Sequence, residues 1–123
     1  MAAVTLFVCE SCTSGKGGRR DQARSGRGLL DALATERLET SGCRVTAVDC
    51  LGACDTPCVA AVSRDGGYSW LFGNLAGRDA ATELAAFART VARAPTGWVD
   101  HRDRPATLRR ALLGRVPPAD TDD

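Results

Sequence analysis

The spacing of the cysteines constrains this chain more than any other feature. Five of the six cysteines lie in two groups, Cys9-x2-Cys12 and Cys50-x3-Cys54-x3-Cys58, with a helical pattern between them. Thiolates bind soft metals, and ligands two or three residues apart can reach one metal centre from a single loop. The spacing therefore predicts a metal or iron–sulfur site, and the fold must bring the two groups together.

The remaining composition excludes several classes of protein. A chain of 123 residues is one domain by size, and its net charge of +1 gives no reason to expect nucleic acid or an acidic membrane surface as a partner. The apolar stretches are too short to span a bilayer, and residues 1–9 lack the basic region and cleavage site of a secretory signal. We therefore expect a cytoplasmic protein without membrane or nucleic-acid partners, whose cysteines bind metal rather than form structural disulfides.

Hydrophobic patterns predict the element order β-α-β-β-α. Gly42 is expected to end the first helix, Asp79 to cap the second, and residues 10–28 to form a basic, glycine-rich loop. The predicted strands span residues 4–8, 44–48, 59–63 and 68–72, and the helices have apolar faces made of Leu30, Leu33, Ala34 and Leu38, and of Leu84, Phe87, Ala88 and Val91.

The order of these elements predicts how the strands pair. A short loop cannot join two parallel strands, so the first β-α-β unit is predicted to be parallel, and the turn at residues 65–67 predicts an antiparallel hairpin. The predicted fold class is α/β, a thioredoxin-like β-α-β-β-α domain with a mixed four-stranded sheet over residues 1–94. A Pro- and Arg-containing extension follows over residues 95–123, with a short helix at 106–113, partly docked on the domain through Trp98.

Both cysteine groups follow a predicted parallel strand. They should therefore meet at the carboxyl edge of the sheet, where open α/β sheets place their ligands. Cys9, Cys12, Cys50 and Cys54 are the favoured four thiolates, and Cys58 is the alternative for the fourth position. Either set suits a [2Fe–2S] cluster or zinc.

Two residues near these groups have separate predicted roles. Gly52 lets the loop backbone approach a metal centre closely, and the N–H groups of such a loop can donate hydrogen bonds to sulfur. Cys43 lies at the start of the second strand, away from the carboxyl edge, and is predicted to be a small buried hydrophobic residue.

Longer motifs resemble known families. The loop Cys50-Leu51-Gly52-Ala53-Cys54, with the turn and strand that follow it, resembles thioredoxin-like [2Fe–2S] ferredoxins and the ferredoxin-type subunit of respiratory NADH dehydrogenase. Over nearly the whole chain, the motifs V-C-x-x-C, C-L-G-A-C-D-T-P-C, L-F-G-N-L and R-V-P-P are similar to an uncharacterised bacterial family of predicted metal-binding proteins. Gene neighbourhood links that family to cobalamin and cobalt metabolism.

The resemblance implies an electron carrier rather than an enzyme, and it allows a homodimer. It makes Cys9 the first ligand of a [2Fe–2S] cluster and Cys50 and Cys54 the second pair, and it implies a redox partner protein. The alternative function is binding of zinc or cobalt in metal or cobalamin metabolism.

A dithiol oxidoreductase using Cys9 and Cys12 ranks lower. The thiol of such an enzyme is activated by a helix that starts at the motif, whereas a glycine-rich stretch follows Cys12 here. The only histidine, His101, lies among charged residues and is predicted to be solvated.

Overall fold

The computed structural model describes residues 3–10, 26–52, 58–75 and 77–118. Its elements follow the order β-α-β-β-β-α over residues 4–93, with a short 3-10 helix before the second strand. They are β1 (Val4–Cys9), α1 (Gly26–Ala34), a 3-10 helix (Leu38–Ser41), β2 (Cys43–Val48), β3 (Ala60–Arg64), β4 (Ser69–Phe72), α2 (Gly77–Arg93), a second 3-10 helix (His101–Asp103), α3 (Ala106–Ala111) and β5 (Leu112–Val116).

The strands form one mixed sheet in the order β2-β1-β3-β4-β5. Strands β1 and β2 are parallel, and β3 and β4 form an antiparallel hairpin, so both predicted pairings are confirmed. Strand β3 also pairs antiparallel with β1. The sheet has five strands, however, and the predicted number of four is wrong.

The fifth strand comes from the C-terminal extension. The short helix predicted over residues 106–113 ends at Ala111, and the chain from Leu112 pairs antiparallel with β4, with Arg115 opposite Trp70. Its five residues include Gly114, and they show no alternation that would predict a strand. Strand β5 therefore forms because β4 offers an unpaired edge.

Three predicted helix boundaries are shifted. Helix α1 begins at Gly26, within the segment predicted as a loop, because Gly26 packs directly against the backbone of Cys9. Gly42 does take the left-handed conformation (φ 78°), although the element it ends is the 3-10 helix after α1. Helix α2 begins at Gly77, so Asp79 lies in its first turn and is not its cap.

The core lies between one face of the sheet and helices α1 and α2. In β1, β3 and β4 alternate residues are buried in it, as the two-residue period of a strand requires. Phe87 of α2 meets Trp70 and Phe72 edge-on, with ring centroids 5.2 and 5.4 Å apart. The largest fully buried side chains are Trp70, Phe72, Phe87, Leu6, Leu29, Leu33, Leu38, Leu75, Leu84 and Leu108.

The segment after α2 packs on the edge of this core. The ring centroid of Trp98 lies 5.2 Å from that of Tyr68 and 5.7 Å from that of Trp70. The guanidinium of Arg104, only 6% exposed, lies 5.0 Å from the Trp70 ring and 5.5 Å from the Trp98 ring. This aromatic and cationic contact packs the segment after α2 against the sheet. No helix in the described ranges is long and apolar enough to cross a membrane.

Candidate metal centre

The first cysteine of each group, Cys9 and Cys50, lies at the same edge of the sheet. Strand β1 ends at Cys9, which is in register with Val48 at the end of the parallel strand β2. The Cys9 thiol donates a hydrogen bond of 3.4 Å to the carbonyl oxygen of Asp49, the residue before Cys50. Parallel pairing therefore brings Cys9 to the loop that carries Cys50, as the sequence predicted.

The loop after β2 directs its backbone at a sulfur atom. The N–H of Gly52 donates a 3.2 Å hydrogen bond to Sγ of Cys50, which is exposed to solvent. Gly52 adopts a left-handed conformation (φ 82°), which a residue with a Cβ reaches only with strain. The glycine thus lets an amide donor turn back onto the sulfur of Cys50.

Cys58 lies behind this edge, next to Cys9. Both thiols are buried and form a small apolar cluster with Val59, apart from the main core, against which Leu51 and Leu71 pack. Burial raises the pKa of Cys58 to about 11, and the nearby Cys9 contributes in the same direction. The thiol form of Cys58 is therefore favoured at neutral pH.

Backbone hydrogen bonds fix the position of this cluster. The N–H of Cys9 donates to the carbonyl of Val59 over 3.1 Å. Cys58 and Leu75 exchange two hydrogen bonds, at 3.4 Å from the N–H of Cys58 and at 3.0 Å from the N–H of Leu75. The entry to β3 is thereby tied both to the end of β1 and to the segment that follows β4.

The N-terminus of helix α1 packs against the end of β1. A Cβ at Gly26 would overlap with the carbonyl oxygen of Cys9 and would lie 3.1 Å from the carbonyl oxygen of Glu10. Arg27 and Glu10 form an ion pair across the same contact. A helix therefore does begin close to Cys9 in space, although not in sequence, and only a glycine fits at its first residue.

The predicted ligands divide into two groups. Cys9, Cys50 and Cys58 lie at or behind the carboxyl edge, whereas Cys12 and Cys54 lie outside the described residues. In the described part of the chain, no three or more His, Cys, Asp or Glu side chains are arranged to hold a metal ion. The complete ligand set therefore remains a prediction.

The remaining cysteine and the histidine lie away from this edge. Cys43 is buried at the opposite end of β2, as predicted, and its burial raises its pKa. His101 is exposed in the second 3-10 helix.

Sequence reasoning missed three contributors to this edge. Gly26, Leu71 and Leu75 lie far from the cysteines in the chain and reach the site only through tertiary packing. The sequence contained one indication for Gly26. Glycine has a low helix propensity, so a glycine at the start of a helix indicates that another segment of backbone lies too close for a Cβ.

Fold and site together define a thioredoxin-like α/β protein with cysteine thiols at the carboxyl edge of a parallel strand pair. A thioredoxin-like [2Fe-2S] ferredoxin from Aquifex aeolicus has a similar structure, with a TM-score of 0.59 over 97% of this chain and 98% of that chain. The two sequences are 20% identical, so the similarity establishes the fold alone.

The chain belongs to the family described as "Protein of unknown function (DUF1636)", whose model matches residues 6–118. The predicted membership of an uncharacterised family that resembles thioredoxin-like ferredoxins is thereby confirmed. No curated protein matches the chain.

Proposed function

We propose that this protein binds one [2Fe–2S] cluster through four cysteines and passes single electrons to a protein partner. The observation that carries the proposal is the hydrogen bond from the Cys9 thiol to Asp49, which joins the end of β1 to the loop of Cys50. Two loops far apart in sequence thus present sulfur atoms at one edge of the sheet. The ferredoxin of similar fold supports the same interpretation.

The donor set fits such a cluster chemically. Cys9 and Cys50 would each supply one thiolate, and Cys12 and Cys54 are proposed to supply the other two, with Cys58 as the alternative fourth ligand. Four thiolates are the usual ligands of [2Fe–2S] clusters. When bound, the cluster would supply a reversible one-electron couple.

Residues around the thiols have definite tasks in this proposal. Leu51, Leu71 and Val59 keep water from the buried side of the site. The N–H of Gly52 stabilises negative charge on Cys50 Sγ, and hydrogen bonds of this kind raise a reduction potential. Cys50 itself is exposed, so its sulfur offers the approach for a partner.

In this role the protein is an electron carrier, active in the cytoplasm, that turns over no substrate by itself. Its competitor is a protein that binds zinc, or cobalt for a cobalamin pathway, through the same thiolates. Anaerobic purification followed by visible absorption, iron and sulfide counts and electron paramagnetic resonance separates the two. A brown-red protein bleached by dithionite supports the cluster, and a colourless protein with stoichiometric zinc contradicts it.

Substitutions test the proposed ligands individually. Cys50→Ser and Cys54→Ser should each abolish stable cluster binding, because a hydroxyl is a poor replacement for a thiolate. Cys43→Ser is the matched control and should retain the cluster, since Cys43 lies at the other end of β2. Cys12→Ser and Cys58→Ser, compared side by side, identify the fourth ligand. Cluster retention in Cys50→Ser would contradict the assignment.

A further inference from the structure

Both tryptophans of the chain contact arginines at a place away from the cysteine edge. The guanidinium of Arg104 lies beside the rings of Trp70 and Trp98. The guanidinium carbon of Arg115 lies 4.7 Å from the centroid of the Trp98 ring, so two cations meet at one indole. Trp98 packs against Tyr68, just before the start of β4, whereas the cysteine edge adjoins the end of that strand. We call Trp98, Arg104 and Arg115 the arginine–tryptophan cluster.

Arg104 is a buried charged residue. Only 6% of it is exposed, and its Nε donates a 2.9 Å hydrogen bond to the carbonyl oxygen of Val99. Among the residues that the structure describes, its terminal nitrogens find no hydrogen-bond acceptor, and no carboxylate lies within ion-pair distance of it. The tryptophan rings stabilise the cation, but they provide no oxygen atom to accept its remaining N–H groups. Buried charges in folded proteins normally have such a partner.

Arg115 adds a second positive charge to this place. Burial lowers the pKa of Arg104, and the charge of Arg115 lowers it further, because each of two neighbouring cations disfavours the charged form of the other. Asp100 acts in the opposite direction, but its carboxylate accepts the Nε1–H of Trp98 at 2.9 Å rather than pairing with an arginine. Within the described ranges, the cluster therefore carries more positive than negative charge.

We propose that Arg104 and Arg115 bind a phosphate group beside Trp98. A guanidinium donates paired N–H groups to an oxyanion, and it keeps its charge at every physiological pH. The two oxygens of a planar carboxylate are satisfied by the fork of one arginine. The oxygens of a phosphate point in several directions, so they can accept from two separate guanidinium groups, and its charge of about −2 matches two arginines.

The cluster is open to solvent on one side and preorganised on the other. Trp98 is 37% exposed and Arg115 is exposed, so an anion can approach both guanidinium groups from solvent. Arg104 is already held by its hydrogen bond to Val99 and by two rings, so it loses little side-chain entropy when an anion binds. The site is separate from the cysteines, and its occupancy does not depend on a bound cluster.

Tryptophan fluorescence tests this site directly, because Trp70 and Trp98 are the only tryptophans of the chain. The full chain, with or without bound metal, is titrated with inorganic phosphate at an ionic strength held constant with sodium chloride. The wild type should show a saturable change in emission and a Tm that rises with phosphate, since a ligand of the folded state stabilises it. Acetate should produce only a weak response.

Variants separate specific binding from the general stabilising effect of phosphate on proteins. Arg115→Gln should weaken phosphate binding at least about tenfold, and its exposed side chain can be changed without disturbing the core. Arg115→Lys should bind with intermediate affinity, because it keeps the charge and loses the fork. Arg110→Gln, at an exposed arginine of α3, is the matched control and should bind as the wild type does.

A second ligand identifies the source of the phosphate. Glycerol 3-phosphate is titrated in the same way, and the tighter of the two ligands shows whether the site serves a phosphate ester or free phosphate. A wild type without a saturable change for either, or an Arg115→Gln variant that responds as the wild type does, overturns the proposal. A response to acetate as strong as that to phosphate overturns the choice of anion.

Discussion

Replacing Gly26 by alanine should destabilise the protein, although the same change stabilises most helices. Alanine is better than glycine inside a helix by about 1 kcal/mol. Here, however, the new Cβ would overlap with the carbonyl oxygen of Cys9 and would lie 3.0 Å from its carbonyl carbon. Both are backbone atoms of a buried strand, so neither can move away as a flexible side chain would. The sign of the effect therefore depends on the contact between α1 and β1.

The magnitude follows from the cost of overpacking. Forcing a methyl group into a closely packed site costs about 1–3 kcal/mol, and we expect a net loss of about 2 kcal/mol because the clash is with backbone. For a chain of this length, about 4 °C is lost per kcal/mol, so Tm should fall by about 8 °C. Since the helix must move away from Cys9, the variant should also retain less of the proposed cluster.

The assay is thermal and urea unfolding followed by circular dichroism, with Gly114→Ala as the control. A Cβ at Gly114 meets no atom within 4 Å, and this glycine does not have a positive φ. The control should therefore change the free energy of unfolding by less than about 0.5 kcal/mol. If Gly26→Ala proves as stable as the wild type, the close approach of α1 to Cys9 is wrong.

Three further predictions concern other contacts. Arg104→Met should cost about 2 kcal/mol in urea unfolding, because it removes the cation between Trp70 and Trp98 and a 2.9 Å hydrogen bond to a backbone carbonyl; an unchanged midpoint would contradict this. Glu83→Ala should cost about 1 kcal/mol, because the carboxylate accepts two N–H groups at the start of α3 at 3.0 and 3.3 Å, whereas exposed Glu39→Ala should be neutral. Burial raises the pKa of Cys43, so above pH 9.0 this thiol ionises in the unfolded chain before it ionises in the folded protein, and the free energy of unfolding falls. Cys43→Ala should reduce this loss of stability, measured by urea unfolding below and above that pH.

Local patterns predicted most of the first four strands and the second helix. Strand β1 ends one residue beyond its predicted end, and the hairpin of β3 and β4 follows from the turn at residues 65–67. Its aromatic residues Trp70 and Phe72 are buried in sheet packing. These elements were predictable because each has a period or a turn signal in its own residues.

The errors concern elements that depend on distant partners. Strand β5 has no period of its own and exists because β4 has an edge for it to pair with. The start of α1 was missed because Gly26 and Gly28 weaken the helical signal, although the first of them is required by contact with Cys9.

The sequence by itself determined the chemistry available to this protein: clustered thiols after two strands, a glycine that exposes an amide to sulfur, and a parallel pair that must end at one edge. Only the tertiary structure decided which groups surround those thiols, since Cys58, Leu71 and the first turn of α1 reach Cys9 through packing between segments distant in the chain. Spacing and periodicity act over a few residues and can be seen in the sequence. Contacts across the sheet depend on the register and direction of every strand at once.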